Sequence, residues 1–360
     1  MTKILGIETS CDETAAAVLE QKNDRIQILS NVVGSSAQLQ AKFGGIIPEQ
    51  AAREQIKLIL PIIDKAINDA GLEVNEIDAI AVTYGPGLIG SLLVGTEVAK
   101  VLAKVWGKPL IPVNHLIGHF YANFIGDNPP QFPAIGLLVS GGHSDLVLFT
   151  EHVKYTYLGG TRDDAAGECF DKCARMLGYA YPGGPVISEL AQKGNSKNFT
   201  LPHPMSGSKD LDFSFSGLKT AFAKLLTENF NIQKGGFNKK TNTWEQTPLI
   251  NLLENKEQQK LYDLCASLED TIVDSLIDKA ILAIQTKHVE QLIVAGGVAA
   301  NKKLKMKLKT KLGELGVKLY IPEPKLCTDN GAMIASAAFF TKPNNMPLNL
   351  QANPNLSLSS

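Results

Sequence analysis

A chain of 360 residues exceeds the size at which one hydrophobic core stops growing, so two domains are expected. Its 35 basic and 36 acidic residues cancel to a formal charge of -1, which leaves any case for nucleic-acid or membrane-surface binding to local patches. Hydrophobic residues at 44% fit a folded soluble protein, and five cysteines without a Cys-x-x-Cys pair describe no disulfide framework, so a reducing, cytoplasmic setting is expected.

The first residues, Met1-Thr-Lys-Ile-Leu-Gly-Ile-Glu8, meet an acid too early for a signal peptide. Lys3 to Thr9 predicts a strand, Ser10-Cys-Asp-Glu-Thr14 a polar turn, and Ala15 to Leu19 a returning strand, giving a hairpin with a hydroxyl- and acid-rich tip. Apolar residues at helical spacing over 51–70 predict a helix stopped at Gly71. A strand over 77–83 follows, and Gly85-Pro-Gly-Leu-Ile-Gly-Ser91 leads into a helix through Ala103. The uncharged run 79–96 is too rich in glycine for a membrane span. Another short strand covers 109–113.

The hairpin device recurs from Ala134 to Phe149, where Gly141-Gly142 turns between apolar strands. Two such hairpins predict a duplicated, layered α/β architecture. Cys169 and Cys173 share a helix face and read as small buried thiols. Phe230 to Lys260 is polar and weakly periodic and predicts an inserted loop. Residues 268–285 predict a long helix, 291–295 a strand, Gly296-Gly297 a loop, and a further helix starts at Asn301. In that helix Leu304, Leu308 and Leu312 form an apolar stripe beside Lys303, Lys307 and Lys311, which read either as a solvated face or as contacts for RNA phosphates. The Asn-, Pro- and Ser-rich end after residue 341 predicts a tail.

The chemistry concentrates in Val113-Asn-His-Leu-Ile-Gly-His119 and in Cys327-Thr-Asp-Asn-Gly-Ala332. On a helix His115 and His119 lie on one face, where both imidazoles reach one ion or simply pack against the protein. Asp329, in a short turn before a helix start, is the candidate third ligand. Two imidazoles and a carboxylate suit zinc or ferrous iron and leave coordination positions open.

Seven motifs carry a resemblance to a known family: Gly6-Ile-Glu-Thr-Ser-Cys-Asp-Glu-Thr14, Leu138-Val-Ser-Gly-Gly-His143, Asp171, Tyr181-Pro-Gly-Gly184, Leu211-Asp-Phe-Ser-Phe-Ser-Gly-Leu-Lys219, Ala295-Gly-Gly-Val-Ala-Ala-Asn301 and Cys327 to Ala332. In this order they closely resemble the TsaD family, formerly Gcp or O-sialoglycoprotein endopeptidase, whose members look like tRNA adenosine threonylcarbamoyltransferases. The resemblance implies the two-domain fold of actin, Hsp70 and sugar kinases (ASKHA). A first lobe would span 1–112 with 331–345 and a second 113–330, with an inserted loop near 230–260 and a flexible tail over 346–360.

It further implies that His115, His119 and Asp329 hold one divalent metal, with Fe2+ the physiological ion and Zn2+ its competitor. Leu138, Val139, Ser140, Gly141 and Gly142, with Asp171, Gly184 and Asn301, would bind the substrate threonylcarbamoyl-AMP. Phosphate can approach the bare backbone of Gly141 and Gly142 without a Cβ clash, and Asp171 and Asn301 would meet hydroxyl or base edges. The partners implied are tRNA, a TsaB-like paralogue and a TsaE-like ATPase, with the adenylate made by TsaC. The chain departs from the family at Asn114, where many relatives have a histidine, at Ser188, where many place an aspartate, and in a segment 230–260 that is longer than usual.

The implied reaction transfers threonylcarbamoyl to the N6 amine of the adenosine following the anticodon in tRNAs that read codons beginning with A. Asp12 and Glu13, at the tip of the first hairpin, are candidate proton acceptors. A metalloprotease would need Glu directly after the first histidine, where Leu116 stands. A sugar- or acetate-kinase-like phosphotransferase of the same fold would need an acidic Asp-x-Gly first loop in place of Glu8-Thr-Ser10. A non-enzymatic scaffold, the role of degenerate paralogues, would lack the metal residues present here.

Overall fold

The computed structural model describes residues 1–35, 47–230, 236–238, 243–245, 247–344 and 346–359. β1 (Thr2–Glu8) and β2 (Glu13–Lys22) form the expected antiparallel hairpin, and β3 (Arg25–Ser35) extends it. After α1 (Pro48–Asp69), β4 (Ala79–Gly85) lies parallel to β1; after α2 (Ile89–Trp106), β5 (Leu110–Asn114) lies parallel to β4. The sheet order is β3-β2-β1-β4-β5.

α3 (His115–Tyr121) leaves the edge of this sheet and leads to the second hairpin, β6 (Ala134–Val139) with β7 (Ser144–Glu151), extended by β8 (Lys154–Gly160). Then come α4 (Ala166–Met176), α5 (Gly183–Ala191), α6 (Ser216–Asn229), the short pair β9 (Gly236–Asn238) and β10 (Thr243–Glu245), and α7 (Asn255–Lys287). β11 (Gln291–Ala295) joins β6 in parallel, and past α8 (Lys302–Glu314), β12 (Lys318–Tyr320) joins β11. The second sheet, read from its other edge as β8-β7-β6-β11-β12, repeats the first strand for strand. The expected duplication is therefore present in topology. α9 (Pro324–Cys327) and α10 (Gly331–Ala338) bring the chain back to the first sheet.

β1 is buried on both faces, which explains its unbroken apolar run. Leu5 and Ile7 face α1 in one core, while Ile4 joins the core built by α3 and α10. α10 seats on β1 and β2 backbone to backbone. A Cβ built on Gly6 would lie 2.6 Å from the Ala335 nitrogen, and one on Gly331 would lie 2.5 Å from the Ala17 nitrogen. The small residues of Gly331-Ala-Met-Ile-Ala-Ser-Ala-Ala338 and of Ala15-Ala16-Ala17 permit this approach.

Three expectations change. The long helix begins at Asn255 rather than near 268, so the end of the expected insertion is helical; residues 231–235, 239–242 and 246 lie outside the described residues. The segment 346–360, expected as a flexible tail, is docked over its described residues: Leu350 and Leu358 are buried, and the Asn353 amide donates to the Tyr84 carbonyl at 2.7 Å. Buried leucines and backbone bonds offset the ordering entropy that polar composition alone suggested. The lysine stripe of α8 is paired with an acidic ladder on α7. Lys303 meets Asp270 at 2.8 Å, Lys307 meets Asp270 and Asp274 at 2.7 and 2.8 Å, and Lys311 meets Asp278 at 3.6 Å. The leucines beneath are buried as expected. Lys303 and Lys307 are thus part-buried in ion pairs, while Lys311 stays more exposed.

Gly331→Ala should cost about 1–3 kcal/mol, the usual range for overpacking, because backbone lies where the methyl must go. Gly313→Ala, where a Cβ meets nothing within 4 Å on the last turn of α8, should gain up to about 1 kcal/mol from helix propensity. Urea unfolding of both variants measures the contrast.

Candidate functional site

α3 begins at the residue that follows β5. The Asn114 side chain caps it, accepting the Leu116 amide at 2.8 Å. Leu116, Ile117, Phe120 and Tyr121 are buried, which turns His115 and His119 toward the turn before α10. Asn330 caps α10 by accepting the Met333 amide at 3.0 Å and donates to the Thr328 carbonyl at 2.7 Å, so it holds both sides of Asp329. The three predicted ligands meet. Asp329 Oδ1 lies 3.2 Å from His119 Nε2 and 3.7 Å from His115 Nε2, and the donor atoms all fall within 4.8 Å of one another.

A second layer sets the ring of His115. Its Nδ1 lies 3.1 Å from Glu8 Oε2 and 3.1 Å from Ser10 Oγ, so Nε2 faces Asp329. A carboxylate behind a histidine is the usual outer partner of a metal-binding imidazole. Glu8 also accepts from the Ser10 amide and the Thr83 hydroxyl, leaving little freedom.

Negative charge dominates the electrostatics. Glu8 and Asp12 are buried, and Glu13 and Asp329 stand beside them. Burial first, and then the carboxylates of Asp329 and Asp12, push Glu13 up to about 10. Burial and the same acids push the Cys11 thiol far up. Burial of His115 opposes its charged form, but Glu8 and Asp329 outweigh it and push the imidazole up to about 9. Burial likewise opposes the charged form of Asp329, yet the two histidines hold it well below the usual carboxylate range. Clustered buried acids facing two imidazoles fit a divalent cation, which would offset the excess charge.

The expected substrate loop lies beside this centre. Ser140 and His143 close a tight turn, the Ser140 amide donating to the His143 carbonyl at 2.8 Å. Burial, followed by the charge of His115 and His119, pushes His143 down to about 4. Leu138 and Val139 are buried at the end of β6, and a Cβ on Gly141 or Gly142 meets no atom within 4 Å. Gly184 is half-buried in the first turn of α5. Tyr181 links the two halves: its phenol is pushed far up by burial, then by Asp12 and Glu13 from the first hairpin.

Two predicted substrate contacts are engaged within the protein. Asp171 Oδ1 accepts the Gly183 amide at 2.7 Å, and its carboxyl is raised by burial against the pull of the Gly183 and Gly184 amides. On the same helix Lys172 pairs with Asp164 at 2.7 Å and Glu168 at 2.8 Å, while the charge of Arg175 pulls the Asp171 carboxyl down. Asn301 caps α8 through Oδ1, and its amide nitrogen donates to Glu269 at 2.8 Å and Ser188 at 2.9 Å.

Sequence reasoning missed Glu8 and Gln55. Gln55 is fully buried on α1 and donates to the carbonyls of Cys11 at 3.0 Å and Glu13 at 2.9 Å, pinning the acidic hairpin tip. A signal existed, because Gln55 falls in register with Ala51, Ile59 and Ile62 on the buried stripe of its helix.

A family model described as tRNA N6-adenosine threonylcarbamoyltransferase matches residues 27–336. A relative of that name from Syntrophomonas wolfei is 45% identical over 355 residues, covering 98% of this chain and 97% of the relative. Another, from Symbiobacterium thermophilum, is 46% identical over 337 residues, covering 94% and 91%. Among solved structures, HypF from T. kodakarensis superposes with a TM-score of 0.59 at 14% identity, covering 94% of this chain and 47% of HypF, which shows the shared ASKHA-like fold. Among the described residues no helix is long and apolar enough to cross a membrane.

Metal uptake should depend on pH through His115. Its imidazole is held protonated below about 9, and a cation binds only the neutral ring. Metal affinity should rise about tenfold per pH unit from pH 7 and level off near 9. Titration calorimetry against a competing chelator reads the slope.

Proposed function

The chain belongs to the tRNA N6-adenosine threonylcarbamoyltransferase family, TsaD, and we propose that it carries out that transfer from threonylcarbamoyl-AMP. The acceptor is the N6 amine of the adenosine following the anticodon in tRNAs that read codons beginning with A. The observation that carries this reading is the convergence of His115, His119 and Asp329 beside the loop 138–143, in a chain so similar to relatives of that name.

The N6 nitrogen attacks the carbamoyl carbon, the bond from that carbon to the phosphate oxygen of AMP breaks, and the nitrogen loses a proton. An adenine amine is a poor nucleophile, so positioning and neutralisation of the leaving phosphate carry most of the acceleration. Gly141 and Gly142 leave open space and backbone amides for that phosphate. Leu138, Val139 and Ser140 anchor the loop, while Asp171, Gly184 and Asn301 shape the nucleoside side. Glu13, held neutral by its surroundings, is poorly suited to accept a proton, so we assign that role to Asp12.

His115, His119 and Asp329 would hold iron(II), with zinc as competitor. When bound, the ion supplies positive charge that stabilises the departing phosphate or polarises the carbonyl. The kinase-like phosphotransferase is not favoured, because Glu8, in the place of a kinase's first-loop acid, is committed to His115, Ser10 and Thr83. A TsaB-like paralogue is the proposed structural partner, supported by an apolar patch on the neighbouring helices α1 and α2. There Ile56, Leu60, Ile89 and Leu93 are 64, 57, 49 and 44% exposed. A TsaE-like ATPase completes the set.

Reconstitution with these partners, an adenylate-forming TsaC, threonine, bicarbonate, ATP and tRNA, followed by nucleoside mass spectrometry, tests the reaction; unmodified tRNA would refute it. His115→Ala, His119→Ala and Asp329→Ala should each weaken metal binding at least about a hundredfold and abolish transfer with the fold retained. Elemental analysis of the purified variants checks this. Gly142→Val should weaken AMP binding about tenfold by filling the phosphate approach while metal content stays unchanged, as read by calorimetry.

A further inference from the structure

We propose that Glu269 binds the ribose hydroxyls of the adenylate, supplying from α7 the carboxylate that this chain lacks at Ser188 on α5. The inference rests on the adenylate reading above. Asn301 ties the two residues together, donating to Glu269 Oε1 at 2.8 Å and to Ser188 Oγ at 2.9 Å. Ser188 stands one helical turn beyond Gly184, and Asn301 follows the Gly296-Gly297 loop. That loop packs against the substrate loop: a Cβ on Gly296 would collide with the Val139 carbonyl and lie 3.3 Å from Ser140 Cβ. Glu269 therefore belongs to the wall that adjoins the phosphate approach at Gly141 and Gly142.

Glu269 is 5% exposed and forms no ion pair among the described residues; Asn301 is the one hydrogen-bond donor it has there. Its second carboxylate oxygen is not among the sealed, unpartnered atoms of the described residues, so it has acceptor capacity open to a ligand. Its charge excludes phosphate, so it selects a donor group of the ligand. Vicinal ribose hydroxyls are the donors next to the phosphate, and a carboxylate is the side chain that commonly accepts from them. Ser188, half-buried beside it, adds a neutral hydroxyl partner. Asn301 thus acts as a positioning residue that holds the acceptor pair.

Calorimetry on the full chain with AMP, 2′,3′-dideoxy-AMP and inosine monophosphate separates the possibilities. The unmodified protein should prefer AMP over the dideoxy analogue at least about tenfold, the value of a hydrogen bond to a charged group. Glu269→Gln should erase most of that preference by weakening AMP alone, and adding Ser188→Asp should restore it. Ser188→Ala, at a half-exposed position where the fold is not at stake, should lower the preference in the same direction. Equal binding of AMP and the dideoxy analogue by the unmodified protein would overturn the proposal. So would equal weakening of both by Glu269→Gln, or a loss confined to discrimination against inosine monophosphate, which would put Glu269 at the base. No AMP binding at all would sink the adenylate reading itself.

Discussion

Backbone contact between β1 and α10 is the constraint on which the site depends. Gly6 and Gly331 let strand and helix meet with no side chain between them. Two residues before Gly331 stands Asp329; two residues after Gly6 stands Glu8. One contact therefore sets both the carboxylate that faces the two imidazoles and the carboxylate that orients His115 from behind. A larger residue at either glycine would move both acids relative to α3. The small side chains of β2 and α10 serve the same close approach, at the expense of apolar area that bulkier residues would bury.

The site is built against the preferences of a folded interior. Acids from the first hairpin and from the turn before α10 crowd together out of water, and burial first, then their mutual repulsion, pushes Glu13 up to about 10. Such an arrangement persists because the surroundings over-determine it. Gln55 clamps the carbonyls of the hairpin tip, Asn114 and Asn330 cap the two helices that flank the His115, His119 and Asp329 cluster, and three apolar clusters supply the stability. A cation would relieve the repulsion, which couples metal uptake to the protonation of His115.

In the second half polar side chains perform structural work beside the loop 138–142. Asp171 binds the first amides of α5, and Asn301 caps α8 while joining Glu269 to Ser188. These bonds fix where α5, α7 and α8 meet around the loop 138–142. The lysines of α8 are likewise absorbed, into a ladder with acids spaced one turn apart on α7. A charged stripe seen on one helix says nothing about whether a neighbour presents the opposite charge at the same rise.

Short-range pattern was legible in the sequence. Both hairpins, the helix that stops at Gly71, the strand over 291–295 and the buried leucines of α8 follow from periods of 2 and 3.6 residues and from local caps. His115 and His119 could be placed on one helix face for the same reason, and Asp329 could be read as a turn carboxylate. Sequence motifs also carried the family resemblance. Only the tertiary structure decided that Glu8 stands behind His115, that Gln55 holds the acidic tip, that residues 346–359 dock, and that Glu269 meets Asn301. Each of those is a pairing between segments distant in the chain, fixed by how closely helices and strands approach, and local periodicity carries no information about such distances.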